Sequence, residues 1–291
     1  MLKSVGAALV AAMLALPVAA QTLRPDQAQF RALYKELVET NTTHSTGNCT
    51  LAAQRMAGHL KTAGFADADL NVFVPPGFPL DGGLIATLHG SDSKAAAIIL
   101  LAHLDVVEAK REDWTRDPFV LIEENGNFYG RGTIDDKSQA AIFTDSMARL
   151  KAKKPPLRTI KLVLSCGEES GARINNIRWL IDNHRDWLNA AFALNEGGGG
   201  TLNAQGKPQT LGFQAGEKVS QNFRIEATNP GGHSSMPRPD NAIYDLSRGL
   251  IGIADYQFPV QFNDTTRGHF GALAGIVGRD TGKAMPALLA N

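Results

Sequence analysis

The stretch "AAAIILLAHLD", residues 95–105, is an unbroken apolar run closed by His103 and, two residues on, Asp105. A short apolar run bounded by charge reads as a strand. Working outward from it, "GGLIATLHG" (82–90) and "RTIKLVLSC" (158–166) have the same texture, and "NAAFALNEGGGG" (189–200) is a strand that ends in a glycine-rich turn. Between and before these lie segments of helical spacing. "DQAQFRALYKELVET" (26–40) repeats Phe30, Leu33, Tyr34 and Leu37, and "CTLAAQRMAGHLKTAGF" (49–65) is amphipathic up to Gly64. "SQAAIFTDSMARLKAKKPP" (138–156) stops at Pro155-Pro156, and "IRWLIDNHRDWL" (177–188) follows. Strands alternating with helices predict an α/β layered domain around a mostly parallel sheet.

From Gly216 the texture changes. "EKVSQNFRIEATN" (217–229) alternates like a half-exposed strand, and "GGHSSMPRPDNAIYDLSRGLIGIADY" (231–256) is a loop running into a helix. The expected organisation is a catalytic domain over residues 21–213 and a smaller α+β lid or dimerisation domain over 214–291, with an exposed sheet face. The first 20 residues, with Lys3, an apolar run from Val5 to Leu16 and small residues at Val18-Ala19-Ala20, read as a cleaved signal peptide. That run is shorter than the ~20 residues a membrane span needs. A secreted or periplasmic protein is expected, with no membrane association after cleavage.

Basic and acidic residues number 29 each, so the net charge is zero and nothing global points to nucleic acid or an anionic membrane as partner. A small molecule or peptide is the better partner class. The two cysteines, Cys49 and Cys166, either pair as a disulfide, which an exporting compartment allows, or remain free and buried.

In an open α/β sheet, ligands bind where the strands end at their carboxyl edge. The residues placed there are His103 and Asp105, then Glu168 and Glu169 after "IKLVLSC", and Glu196 after "FALN"; Asp135 and Asp136 precede a helix. A single Asp at a helix start is an ordinary cap, and a Glu-Glu pair alone is an acidic turn. Carboxylates gathered at one edge repel one another unless a cation joins them. Histidine with carboxylates is a nitrogen and oxygen donor set suited to Zn²⁺, with Mn²⁺ or Co²⁺ as alternatives.

Taken in order, "HLDVV", "YGRGTIDDKS", "GEESG" and "NEGGG" resemble the dinuclear zinc hydrolases that include glutamate carboxypeptidase, aminoacylase, carnosinase-like dipeptidases and succinyl-diaminopimelate desuccinylase. The resemblance implies two Zn²⁺ per subunit. It makes His103 a ligand of the first metal oriented by Asp105, Asp135 the bridging carboxylate, Glu168 the general base, Glu169 a ligand of the second metal and Glu196 a ligand of the first. Asp136 is then left for the helix start, and the alternative exchanges Asp135 and Asp136. His233, in the loop "NPGGHSSMP", matches a substrate-contacting histidine that many dimeric members lend to the neighbouring subunit, which implies a homodimer through the small domain. His44, His59, His89, His184 and His269 match no family position.

The family also places a further histidine, a second-metal ligand, in a segment after the small domain. No counterpart precedes Asn291, and "TTRGHFGALAG" reads as small-domain interior, which makes His269 a poor substitute. The sequence then corresponds to a fragment of a longer enzyme or to a truncated product. The expected function is an exported metal-dependent hydrolase of small peptides or N-acyl amino acids. The rival is a truncated, non-catalytic metal- or ligand-binding protein that associates through its small domain. A serine hydrolase is excluded by the lack of a G-x-S-x-G elbow.

Overall fold

A computed structural model describes residues 23–169, 173–217 and 221–289. The signal-peptide reading of residues 1–20 therefore lies outside the described residues. Among the described residues, no helix is long and apolar enough to cross a membrane. The chain divides into two compact units, Met1–Glu196 and Gly197–Asn291.

The first unit opens with α1 (Pro25–Val38), with proline at its first position, and α2 (Cys49–Thr62), whose N-cap Asn48 accepts a hydrogen bond from Leu51 N at 2.8 Å. The strands β1 (Leu70–Phe73), β2 (Gly83–Leu88) and β3 (Ile98–His103) follow, then a small hairpin of β4 (Ile122–Glu124) and β5 (Asn127–Tyr129). Next come α3 (Lys137–Lys151), β6 (Ile160–Ser165), α4 (Asn176–Asn183) and β7 (Phe192–Leu194).

The five-stranded sheet has the order β1-β2-β6-β3-β7. β3 lies parallel to β6 and β7, while β2 is antiparallel to both β6 and β1. Only β2 therefore runs against the rest, which makes the sheet mostly parallel as the alternating pattern predicts. Parallel pairing also puts the carboxyl ends of β3, β6 and β7 on one edge, with His103 opposite Ser165.

Side chains on successive residues of these strands go to opposite faces. Leu100, Ala102, Leu162 and Leu164 join the larger core with Leu37, Met56, Leu60 and Met147 of the first three helices. Ile99 and Val163 turn the other way, onto Leu180 of α4 and the partly buried Trp179 and Trp187. Covering both faces is what lets the strands be apolar without alternation. Cys49 and Cys166 are disulfide-bonded, which resolves the alternative left open by the sequence.

The second unit holds a hairpin of β8 (Gly199–Leu202) and β9 (Pro208–Gly212), then α5 (Ala242–Asp255), α6 (Asp264–Leu273) and α7 (Arg279–Leu289). It is α+β, and none of its described residues is buried. Two expectations change here. Residues 221–229 form no strand, because an alternating segment becomes a strand only when a neighbour completes its hydrogen-bond ladder, and none does among the described residues. The "TTRGHFGALAG" segment forms most of α6, and His269 is exposed rather than interior.

Candidate metal centre

His103 ends β3 and is almost fully buried, at 3% exposure. Its Nδ1 lies 2.9 Å from the Asp105 backbone oxygen and 3.6 Å from Asp105 Oδ1. The ring is thereby fixed from behind by a residue two positions on, and Nε2 faces the carboxyl edge of the sheet. There it meets Asp135 Oδ1 at 3.0 Å and Glu196 Oε2 at 3.6 Å. Glu168 and Glu169 follow β6 through Gly167, and both reach the same place. His103, Asp135 and Glu169, and again His103, Glu168 and Glu196, each offer ligand atoms that lie within 4.8 Å of one another.

The turn carrying the two glutamates has little freedom. Gly167 sits at φ +88°, and a Cβ there would fall 1.8 Å from the Ile174 carbonyl oxygen. Asn175 caps α4 with one end of its amide, and its Nδ2 donates to Gly167 O at 3.0 Å. The Glu169 N–H donates to Asp105 Oδ2 at 2.9 Å, tying this turn to the His103 segment.

Charge in the centre is crowded. Burial would pull the His103 ring down, but Asp105, Glu196 and Asp136 outweigh it and push the ring up to about 10. Burial and neighbouring carboxylates raise Glu169 and Glu196 above the usual carboxylate range. Burial also favours the protonated form of Asp105, yet the His103 ring and the backbone N–H groups of Glu169 and Glu168 hold its carboxyl below that range. Carboxylates that repel one another thus surround a histidine whose proton they favour, an arrangement that a divalent cation would also stabilise.

Asp136 corrects the expectation that it serves the helix start. It occupies the N-cap position of α3, but its side chain makes no cap bond. It turns inward, and Oδ2 accepts the His103 backbone N–H at 3.2 Å. Burial, with help from Glu196 and Asp135, pushes its carboxyl up to about 7. Asp135 is the acid that opens toward solvent and faces His103 Nε2, its side chain 59% exposed.

Lys137 was given no role by the sequence. It is fully buried, and its ammonium donates to Thr40 O at 2.7 Å. Burial lowers it to about 7. A charged residue at the first position of a helix looks solvent-facing, and only the approach of the Val38 and Thr40 carbonyls shows otherwise.

Seven residues from four chain segments, His103, Asp105, Asp135, Asp136, Glu168, Glu169 and Glu196, thus lie in the first unit around one ring nitrogen or directly behind it. His233 belongs to the second unit, where its Nδ1 lies 2.7 Å from Ser235 Oγ.

The donor set suits a divalent cation. His103 Nε2 and the carboxylates of Asp135, Glu169 and Glu196 provide one nitrogen and several oxygens at ligand spacing. Asp105 Oδ1, buried without a hydrogen-bond partner among the described residues, stands behind the His103 ring, where an orienting carboxylate would sit. Cys49 and Cys166 also lie close to Asp105, but their disulfide removes them as ligands.

Known proteins bear on this arrangement in three ways. The human N-fatty-acyl-amino acid synthase/hydrolase PM20D1 is 32% identical over 185 residues, covering 62% of this chain and 36% of that protein. A probable succinyl-diaminopimelate desuccinylase of Staphylococcus aureus is 32% identical over 155 residues, covering 51% of this chain and 35% of that protein. The chain spans about a third of the length of these curated relatives. Among solved structures, an M20 family metallo-carboxypeptidase from Sulfolobus solfataricus superposes with a TM-score of 0.51 at 21% identity, over 64% of this chain and 40% of that one, a likeness of fold. The model of "Peptidase family M20/M25/M40" matches residues 99–274, more than half of the chain and every segment that builds the centre, and the chain belongs to that family.

Proposed function

We propose that the chain carries the metal-binding part of an exported amidohydrolase, one that cleaves the amide bond of a small peptide or an N-acyl amino acid. The observation that carries this is the convergence of His103 Nε2 with Asp135, Glu168, Glu169 and Glu196 at the carboxyl edge of the sheet. The names of the relatives, a fatty-acyl-amino acid hydrolase and a desuccinylase, favour an amide substrate.

His103, Asp135 and Glu196 would hold a first divalent ion, with Asp135 shared by a second that Glu169 also ligates; Zn²⁺ fits this set, with Co²⁺ and Mn²⁺ as alternatives. Such ions supply Lewis acidity toward the scissile carbonyl and bring the pKa of water toward neutrality. Asp105 keeps the His103 ring in the tautomer and orientation that leave Nε2 free. Glu168 takes the proton of the attacking water and delivers it to the departing amine, as an unligated carboxylate beside the centre can. His233 is taken as a substrate contact, as the family resemblance implies, and association of two copies through the second unit is the assembly proposed.

The test is metal content per chain together with hydrolysis of a dipeptide and N-acyl amino acid panel. Bound metal, with turnover that falls by about 10²–10⁴-fold in Glu168→Gln while metal content holds, is the expected result. Full turnover in Glu168→Gln would remove Glu168 from the mechanism.

A further inference from the structure

The Cys49–Cys166 disulfide joins residues 117 apart in sequence, and it does so at the turn that bears the two glutamates. Cys166 follows β6 directly and precedes Gly167; Cys49 is the first residue of α2, held in place by the Asn48 cap. Both cysteines are buried, at 2% and 4% exposure. Their sulfurs and an Asp105 carboxylate oxygen form one group with separations within 4.8 Å. Asp105 is thus packed between the disulfide and the His103 ring.

That placement has a chemical effect. A disulfide has no hydrogen to donate, so the buried Asp105 Oδ1, without a hydrogen-bond partner among the described residues, is left to face the His103 ring 3.6 Å away. Two thiols in its place would offer S–H donors to that oxygen. Among the described residues the turn is also held by hydrogen bonds, Asn176 N to Cys166 O at 2.9 Å, Asn175 Nδ2 to Gly167 O at 3.0 Å and Glu169 N to Asp105 Oδ2 at 2.9 Å, and by the Arg173–Asp81 ion pair at 2.8 Å. Water can compete for the partners of each of these. The disulfide is a covalent tie at this turn, and water cannot replace it.

We propose that the Cys49–Cys166 disulfide is a positioning element of the metal centre. It keeps the Glu168–Glu169 turn and the Asp105 carboxylate in register with His103. The inference rests on the hydrolase reading only for its effect on turnover; its effect on metal binding stands apart from it.

The test compares three samples of the full chain: oxidised, reduced, and the double variant C49A/C166A. A dithiol reductant gives two electrons and two protons to the S–S bond, which leaves two thiols and a cyclic disulfide of the reagent. Co²⁺ is the probe, since its visible spectrum reports ligand geometry. The alanine variant removes the thiols as ligands, so weakening there reports the lost tether alone. With far-UV circular dichroism and a cooperative melt retained, the bridgeless samples are expected to bind Co²⁺ about tenfold or more weakly, with an altered visible spectrum. On any substrate the oxidised chain cleaves, kcat falls by a similar factor while KM stays within about twofold. Equal Co²⁺ affinity and spectrum in all three samples would overturn the proposal. So would loss of the cooperative melt on removing the bridge, because the bond would then serve overall stability. If the oxidised chain binds Co²⁺ but cleaves nothing, the hydrolase reading fails, and affinity and spectrum alone decide the disulfide's role.

Discussion

Asp105 and Asp136 do their work behind the His103 ring, one on its Nδ1 side and one on its backbone N–H. Asp105→Asn keeps the shape but removes the negative charge that favours a well-oriented, basic ring. Metal affinity is expected to fall by about 10–100-fold, measured by competition with a chelator of known strength. An unchanged affinity would mean that the Asp105 backbone oxygen suffices. The proton on His103 gives a second expectation. Burial alone would lower the ring, but its carboxylate neighbours hold it at about 10, so in the metal-free chain it is protonated at neutral pH. A ligating ring must be neutral, so metal binding at roughly pH 8 releases about one proton, and affinity rises about tenfold per pH unit between roughly 7 and 9. Calorimetry in buffers of different ionisation enthalpy counts that proton, and a count of zero would contradict the raised pKa.

At the level of elements, the turn after β6 is the least tolerant of change. Gly167→Ala sets a side chain both at positive φ and against the Ile174 carbonyl, and a cost of roughly 2–4 kcal/mol is expected from urea unfolding. A cost near zero would show that the turn can move. The strands themselves were legible. "AAIILLA", "IKLVLS" and "FAL" are apolar without alternation, and the helical segments between them imply a parallel sheet whose carboxyl ends share an edge. That edge gathered His103, Asp105, Glu168, Glu169 and Glu196, while Asp135 entered through the family resemblance. The reversal of β2 was not legible, because strand direction is set by pairing and not by composition. Nor was the part played by Asp136. An aspartate at a helix N-cap position has a local partner available, and only the tertiary approach of His103 N–H decides against it. The 217–229 segment misled for the same reason in reverse, since its alternation is real but a ladder needs a second strand.

Over the whole molecule, the two units differ in what holds them. All buried apolar side chains among the described residues belong to the first unit, whereas Ile243, Tyr244 and Ile251 of α5 stand 60–71% exposed in the second. A polypeptide spanning Leu23–Glu196 is therefore expected to melt cooperatively, within about 5 °C of the full chain, by differential scanning calorimetry. Loss of the transition would show that the second unit supports the first. The change of texture near Gly216 set the expected boundary at 213/214, whereas the described structure separates after Glu196, because the glycine run there reads equally as a turn within one domain. The strand order carries one more consequence, and it concerns time. β3 sits between β6 and β7, so the strand bearing His103 acquires both neighbours only after much more chain has been made. Such distant parallel pairings form slowly. During synthesis His103 emerges first, then Asp135, then Glu169 and last Glu196, so a nascent chain passes through stages with one, two and three of these groups before the full set exists. On the proposed reading of the centre, metal capture is thus a late event in the life of the polypeptide, and an ion that arrives early meets an incomplete cage.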